Sequence, residues 1–194
     1  MELPQQLAEL NRIGLELFDF VTPAYLEEEI SWVKWWEYQE SPFDHLWEFL
    51  PGALGYKKPL SPKSFSIDYK GSGFTYKSLA WHLYDIVDQK GKLKILEENI
   101  EIEPGEQLGP GVFRYKFNKE EFLHEFTHIR NRISLAAVRE IVEAFDTLDN
   151  GRRFYCSAVN AGYCFYYLLE SEAAGSDAMN SAKAPKLLSE IPKG

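Results

Sequence analysis

The 194-residue sequence has few cysteines, no long apolar run and few basic residues in its first third. Cys156 and Cys164 are about 12 Å apart if they lie on one helix, which is too far for a disulfide. No apolar run approaches the roughly 18 residues of a membrane span, and MELPQQLAEL lacks the regions of a secretory signal. These absences predict a soluble, cytoplasmic protein that does not bind membranes and has buried, reduced cysteines.

The shortage of bases is confined to residues 1–56, which contain eleven acids against only Arg12 and Lys34. The rest of the chain contains 19 residues of each sign, so this segment accounts for the whole formal net charge of −9. An acidic chain lacks the positive charge that attracts nucleic acid or anionic lipid. The asymmetry instead indicates an acidic surface for a basic protein partner.

The acidic segment also contains four of the five tryptophans. Binding hot spots favour Trp and Tyr, and acidic fields accelerate the capture of basic proteins. The alternative is that the tryptophans form the core while the acids stay solvated, because aromatic side chains are more often buried than involved in binding. The predicted partner-binding set is Glu27, Glu28, Glu29, Trp32, Trp35, Trp36 and Trp47.

Hydrophobic periodicity, caps and turn residues predict an α+β fold. Helices are predicted over 4–20, 23–39, 42–50, 78–89, 118–133, 135–148 and 153–172, and strands over 65–69, 92–102 and 112–117. A turn at 70–73 is predicted to join the first of these strands to a second one that contains Phe74 and Tyr76.

These elements predict a single compact domain over residues 1–172. An N-terminal helical segment and a C-terminal three-helix segment would lie around a small, mostly antiparallel sheet. Residues 1–56 would form an acidic, Trp-rich helical subdomain and residues 57–172 a mixed α/β part. Residues 173–194 are small, polar and Pro-containing, which predicts a flexible tail.

One motif has the spacing of a catalytic metal site, HEFTH at 124–128. On a helix capped by Asn118, His124 and His128 would face the same side and could bind one Zn²⁺. Glu125 would then act as general base toward a metal-bound water.

Over about eight residues this motif resembles the zincin metallopeptidases. The resemblance implies a third metal ligand, which in the gluzincin branch is a Glu from a later helix, and Glu140 and Glu143 are the candidates. Two residues depart from the family pattern. The pattern prefers an uncharged residue three positions before the first His, where this chain has Glu121, and an apolar residue two positions after the second His, where it has Arg130. The alternative interpretation is a solvated helix face.

Two hypotheses therefore follow from the sequence. The preferred one is a non-catalytic binding or inhibitor protein without a cofactor, whose acidic, aromatic N-terminal surface captures a basic protein as immunity or antitoxin proteins do. The alternative is a Zn²⁺-dependent hydrolase centred on HEFTH.

Overall fold

The computed structural model describes residues 2–31, 42–52, 58–68, 75–87, 91–130, 133–146, 151–159, 162–177, 179, 181 and 184–187. In these ranges the fold is α+β, with six helices and two antiparallel sheets. The helices are α1 (Leu3–Arg12), α2 (Pro23–Glu29), α3 (Pro42–Phe49), α4 (Tyr76–Ile86), α5 (Leu135–Asp146) and α6 (Glu170–Asp177). The strands are β1 (Ser64–Asp68), β2 (Leu93–Ile100), β3 (Leu108–Phe117), β4 (Glu120–Ile129), β5 (Arg152–Val159), β6 (Gly162–Leu169) and β7 (Lys186–Leu187).

The chain divides into two compact units. The first comprises Met1–Ser66 and Gly151–Leu187, and the second comprises Ile67–Asn150 and Leu188–Gly194. One sheet has the strand order β1-β6-β5-β7 and the other the order β2-β3-β4. None of the described helices combines the length and apolarity needed to cross a membrane.

Helix α1 is shorter than the predicted helix over 4–20, because Gly14 ends it. Gly14 has a φ of +90°, a left-handed conformation that glycine adopts without steric cost. Its amide donates to the Asn11 carbonyl and the Leu15 amide donates to the Leu10 carbonyl, both at 3.0 Å. This pair of bonds is a Schellman motif, which terminates a helix.

The predicted start of α2 is confirmed. Thr22 accepts a hydrogen bond from the Tyr25 amide at 3.2 Å, and Pro23 occupies the first turn. The helix ends at Glu29, whereas the prediction continued it to residue 39. Residues 32–39 of that prediction lie outside the described residues.

The predicted helix over 153–172 is wrong, because this segment forms the β5–β6 hairpin followed by α6. The hairpin is buried on both faces, which removes the alternation that marks a half-exposed strand. Cys164 pairs with Ser157 in the register, so Cys164 and its neighbour Cys156 lie on opposite faces. Both cysteines are buried and they are not joined by a disulfide.

One face of this hairpin forms the core of the first unit with α1, α2 and α3. Tyr166 is fully buried there and donates a hydrogen bond to the Trp47 carbonyl. The two rings meet edge to face, with centroids 5.4 Å apart. Helix α6 is attached to the hairpin by an ion pair in which Arg152 Nη1 lies 2.7 Å from Glu172 Oε2. Residues of the predicted tail therefore form the C-terminal part of α6 and strand β7 in this unit.

The predicted helix over 118–133 is also wrong, because residues 120–129 form strand β4. Asn118 follows β3 with a φ of +57° and begins a two-residue turn to β4. Its side-chain Oδ1 accepts from the Lys92 amide at 3.0 Å instead of capping a helix. Asn is favoured both at helix N-caps and at left-handed turn positions, so its presence alone does not separate the two structures.

In the second unit, α4 and α5 pack on the β2-β3-β4 sheet. The predicted helix over 135–148 is confirmed as α5, which buries Val138, Ile141, Val142 and Phe145. Helix α4 begins at Tyr76 under a capping box of Thr75 and Ser78. The prediction of a second strand containing Tyr76 is therefore wrong, and Phe74 lies outside the described residues. In the described part of the C-terminal half, strands β4, β5 and β6 stand where two of the three predicted consecutive helices would be, so that predicted arrangement is wrong.

Candidate functional site

The HEFTH segment presents its residues on two opposite faces of β4, because successive side chains of a strand alternate. His124 is buried and His128 is half-buried, and both lie on the face that packs against the helices. Glu125 is exposed and lies on the other face. The predicted base is thus directed away from the predicted ligands.

The strand also separates the two histidines, since four residues of a strand span roughly 13 Å, compared with about 6 Å on a helix. The ring of Phe126 follows His124 on the same face and packs against Tyr76, with centroids 4.4 Å apart. Among the described residues no group of three or more His, Cys, Asp and Glu side chains is placed to hold a metal ion. The helical zinc motif is therefore corrected to two histidines in separate surroundings.

His128 belongs to a chain of hydrogen bonds that links β4 to both helices. The Ser134 amide donates to the Tyr76 hydroxyl at 2.9 Å, and that hydroxyl lies 3.0 Å from His128 Nδ1. The Tyr76 hydroxyl accepts from Ser134, and its own proton is available to Nδ1 in the tautomer that carries the imidazole proton on Nε2. Burial lowers the pKa of His128 and raises the pKa of Tyr76 to about 12, so both groups are neutral at pH 7.

His124 has a different partner. Its Nδ1 lies 3.5 Å from Glu140 Oε2, and its ring stacks on Tyr115 with centroids 5.7 Å apart. Burial lowers the pKa of His124, and the nearby Glu140 carboxylate partly opposes that shift.

The two predicted third ligands differ in position. Glu140 approaches His124, whereas Glu143 lies 3.6 Å from the Arg139 guanidinium on its own helix. The structure thus brings one predicted ligand pair together, and the pair is a contact between β4 and α5.

The acidic N-terminal segment presents a second candidate site in the first unit. In the loop between α1 and α2, Phe18 and Phe20 are 37% and 40% exposed. Their rings stack with centroids 5.6 Å apart and an interplanar angle of 13°. Tyr25 of α2 meets Phe20 edge to face at 5.2 Å. Phe18, Phe20 and Tyr25 together form an aromatic platform.

The backbone of the aromatic platform is fixed at several points. The Phe18 amide donates to the Leu60 carbonyl at 3.0 Å, and the Val21 amide donates back to the Phe18 carbonyl at 2.9 Å. The Thr22 cap then begins α2, which carries Tyr25. Both phenylalanines are consequently held outside the core by an ordered loop.

The segment that contains the aromatic platform is rich in carboxylates. Glu16, Asp19, Glu27 and Glu28 are exposed, and Glu29 is half-buried. Burial, together with the negative charge and hydrogen bond of Glu29, raises the pKa of Tyr25, and Glu28 adds to this effect. Two of the three predicted glutamates therefore act directly on a ring of the platform. Exposed apolar area within an acidic surface is typical of a protein-binding site.

The predicted tryptophans do not form this site. Trp47 is fully buried, so its prediction as a partner-binding residue is corrected to a core role. Trp32, Trp35 and Trp36 lie outside the described residues. The rings found instead are Phe18, Phe20 and Tyr25, which the prediction missed because it continued α1 through Gly14 to Phe20.

Searches against protein-family models, curated proteins and solved structures found no match to this chain.

Proposed function

We propose that the chain is a non-catalytic binding protein that captures a basic protein partner through its acidic N-terminal surface. The observation that carries this proposal is the aromatic platform, two exposed and stacked phenylalanines joined to Tyr25 within a carboxylate-rich segment. The exposed rings supply the apolar area that a partner would bury, and the carboxylates supply long-range attraction. Inhibitors of basic enzymes, such as immunity and antitoxin proteins, combine these two properties.

The charge distribution supports a basic partner. Between residues 2 and 31 the chain contains seven carboxylates and one basic residue, Arg12. The Arg12 guanidinium is already paired with Glu9, so the remaining carboxylates present nearly uncompensated negative charge. Such a surface increases the association rate of a positively charged protein and makes that rate depend on salt.

The test is a charge reversal at α2. Capture from an extract of the native host, with the purified chain as bait, supplies the basic protein for kinetic measurements. We expect Glu27→Lys, Glu28→Lys and Glu29→Lys together to slow association at least tenfold at low salt and to flatten its salt dependence, because the steering field is reversed.

The matched control reverses three exposed carboxylates in the loop between β2 and β3, Glu101, Glu103 and Glu106. This variant changes the net charge by the same amount outside the proposed surface. Equal slowing by both variants would show that net charge alone governs association. Failure to capture a basic protein, or capture that the α2 variant leaves unchanged, would contradict the proposal.

A further inference from the structure

The aromatic platform has a geometry that distinguishes between the two basic side chains a partner can offer. Phe18 and Phe20 stack with their ring planes within 13° of parallel, so the ring faces that the stack leaves uncovered point away from each other. Both side chains exceed one-third exposure, which leaves ring surface accessible to a partner. Tyr25 contacts Phe20 in a T-shaped arrangement, with centroids 5.2 Å apart.

Arginine matches a ring face better than lysine does. A guanidinium is planar and weakly hydrated, so it can lie flat on an aromatic ring while its N–H groups point outward in its own plane. A lysine ammonium is a compact, strongly hydrated charge that gains less from such a surface. An exposed ring beside a carboxylate therefore favours arginine when both interactions are made together.

Carboxylates are available next to these rings. Asp19 is exposed and lies between Phe18 and Phe20 in the chain. Glu28 and Glu29 lie close enough to Tyr25 to raise the pKa of its hydroxyl. A guanidinium stacked on the platform can thus meet a carboxylate on the Asp19 side or on the Tyr25 side.

The fixed backbone adds to this preference. The bonds from Phe18 to Leu60 and from Val21 to Phe18 hold the loop before a partner arrives. A preformed platform loses little conformational entropy on binding, so the stacking energy is not offset by ordering of the loop.

We propose that the aromatic platform selects arginine over lysine, so that the segment the partner inserts here is arginine-bearing. This inference rests on the proposed function, because it names the side chain by which the basic partner is held. The platform then acts as an arginine-stacking surface and the acidic segment around it as the general attractor of positive charge.

Two synthetic decapeptides provide the test, one with four arginines and one with four lysines at the same positions in a Gly/Ser background. Each is titrated into the full-length, isotopically labelled chain at low salt, and NMR shifts give the dissociation constants. We expect the arginine peptide to bind roughly twofold to fivefold more tightly, the range of a cation–π contact at an exposed site. The largest shifts should be those of Phe18 and Phe20.

A double variant, Phe18→Leu with Phe20→Leu, retains apolar bulk and removes the π faces. It should bind both peptides equally and at the level of the lysine peptide. Trp81→Leu is the matched control, because Trp81 is also 40% exposed but lies on α4 in the second unit. This control should keep the full preference for arginine.

The outcomes separate the inference from the function it rests on. Equal affinity for the two peptides, no binding of either peptide, or a preference that survives in the Phe18/Phe20 variant would overturn the arginine inference. None of these results bears on whether the α2 glutamates capture a basic protein. The charge-reversal kinetics test that proposal independently.

Discussion

Each of the two compact units contains a site where the burial of side chains is unusual for their polarity. The second unit buries polar side chains, whereas the first exposes apolar ones. In the second unit, polar His124 and His128 lie on the packed face of a sheet. In the first unit, apolar Phe18 and Phe20 lie at the surface. Large apolar groups are usually buried and polar groups are usually solvated.

The contacts within each site explain why we assign a structural role to the histidines and a binding role to the exposed phenylalanines. His124 Nδ1 lies beside Glu140 and His128 Nδ1 is bonded to the Tyr76 hydroxyl, so both side chains have a contact within their own unit. Such contacts stabilise a fold. His124 Nε2 is buried with no hydrogen-bond partner among the described residues. The exposed rings of the aromatic platform gain further burial only when another molecule covers them, which is why we assign binding to the first unit.

The largest expected effect concerns the buried ion pair of the first unit. Arg152→Ala would leave the Glu172 carboxylate, whose side chain is 5% exposed, without its cationic partner. We expect the free energy of unfolding to fall by about 3 kcal/mol. Urea denaturation at pH 7 measures this change. Arg12→Ala, at the exposed pair with Glu9, is the control and should change stability little; equal losses in both variants would contradict the prediction.

The next effect concerns the Tyr76 hydroxyl in the second unit. Tyr76→Phe would leave the Ser134 amide and His128 Nδ1 without their bonds to this oxygen. Because buried polar groups that lose a partner are costly, we expect a loss of about 2 kcal/mol in urea denaturation. Tyr84→Phe, which removes one hydrogen bond to the Gly91 carbonyl, should cost less. A loss in Tyr76→Phe no larger than in this control would show that the hydroxyl chain contributes little.

A smaller effect should follow from acidification. Burial lowers the folded-state pKa of both His124 and His128 below the unfolded value of about 6.5. The stability that depends on their neutral forms is therefore fully present above pH 6.5 and is lost as the pH falls below it.

For His124 the groups facing the ring are Glu140 and Tyr115, and Glu140 partly offsets the loss by favouring the charged form. Urea midpoints at pH 7.5 and pH 5 test the expectation in the wild type and in the variant His124→Gln with His128→Gln. The variant should lose less stability between the two pH values. The same loss in both proteins would mean that other groups control the acid response.

The smallest effect on stability is expected at the aromatic platform. Phe18→Ala and Phe20→Ala should each change the free energy of unfolding by no more than about 0.5 kcal/mol, because both rings are exposed. Phe113→Ala, in the fully buried core of the second unit, should cost about 3 kcal/mol. Thermal denaturation compares the three variants. A large loss at Phe18 or Phe20 would mean that the platform supports the fold of its own unit.

Local signals predicted the elements whose ends are encoded by short-range chemistry. Thr22-Pro23 set the start of α2, and the apolar stripe from Val138 to Phe145 predicted α5. These signals succeed because a cap or a helix stripe is formed among residues within two turns of each other.

The same reasoning failed for HEFTH because two periodicities coexist there. Phe122, Phe126 and Ile129 match a helix stripe, while Phe122, His124, Phe126 and His128 match the alternation of a strand. The strand is formed because residues Leu108–Phe117 of β3 pair with residues Glu120–Ile129 of β4. Strand pairing is a contact with another segment, so a single stretch of sequence does not contain it.

The sequence by itself determined the charge asymmetry, the α+β composition and several helix starts, since these depend on residue identity and near neighbours. The tertiary structure alone decided that Glu125 faces away from the histidines, that Trp47 belongs to the core, and that Phe18 and Phe20 are exposed. Burial is a property of the packed chain, because the same aromatic side chain contributes to a core or to a surface according to which segments cover it.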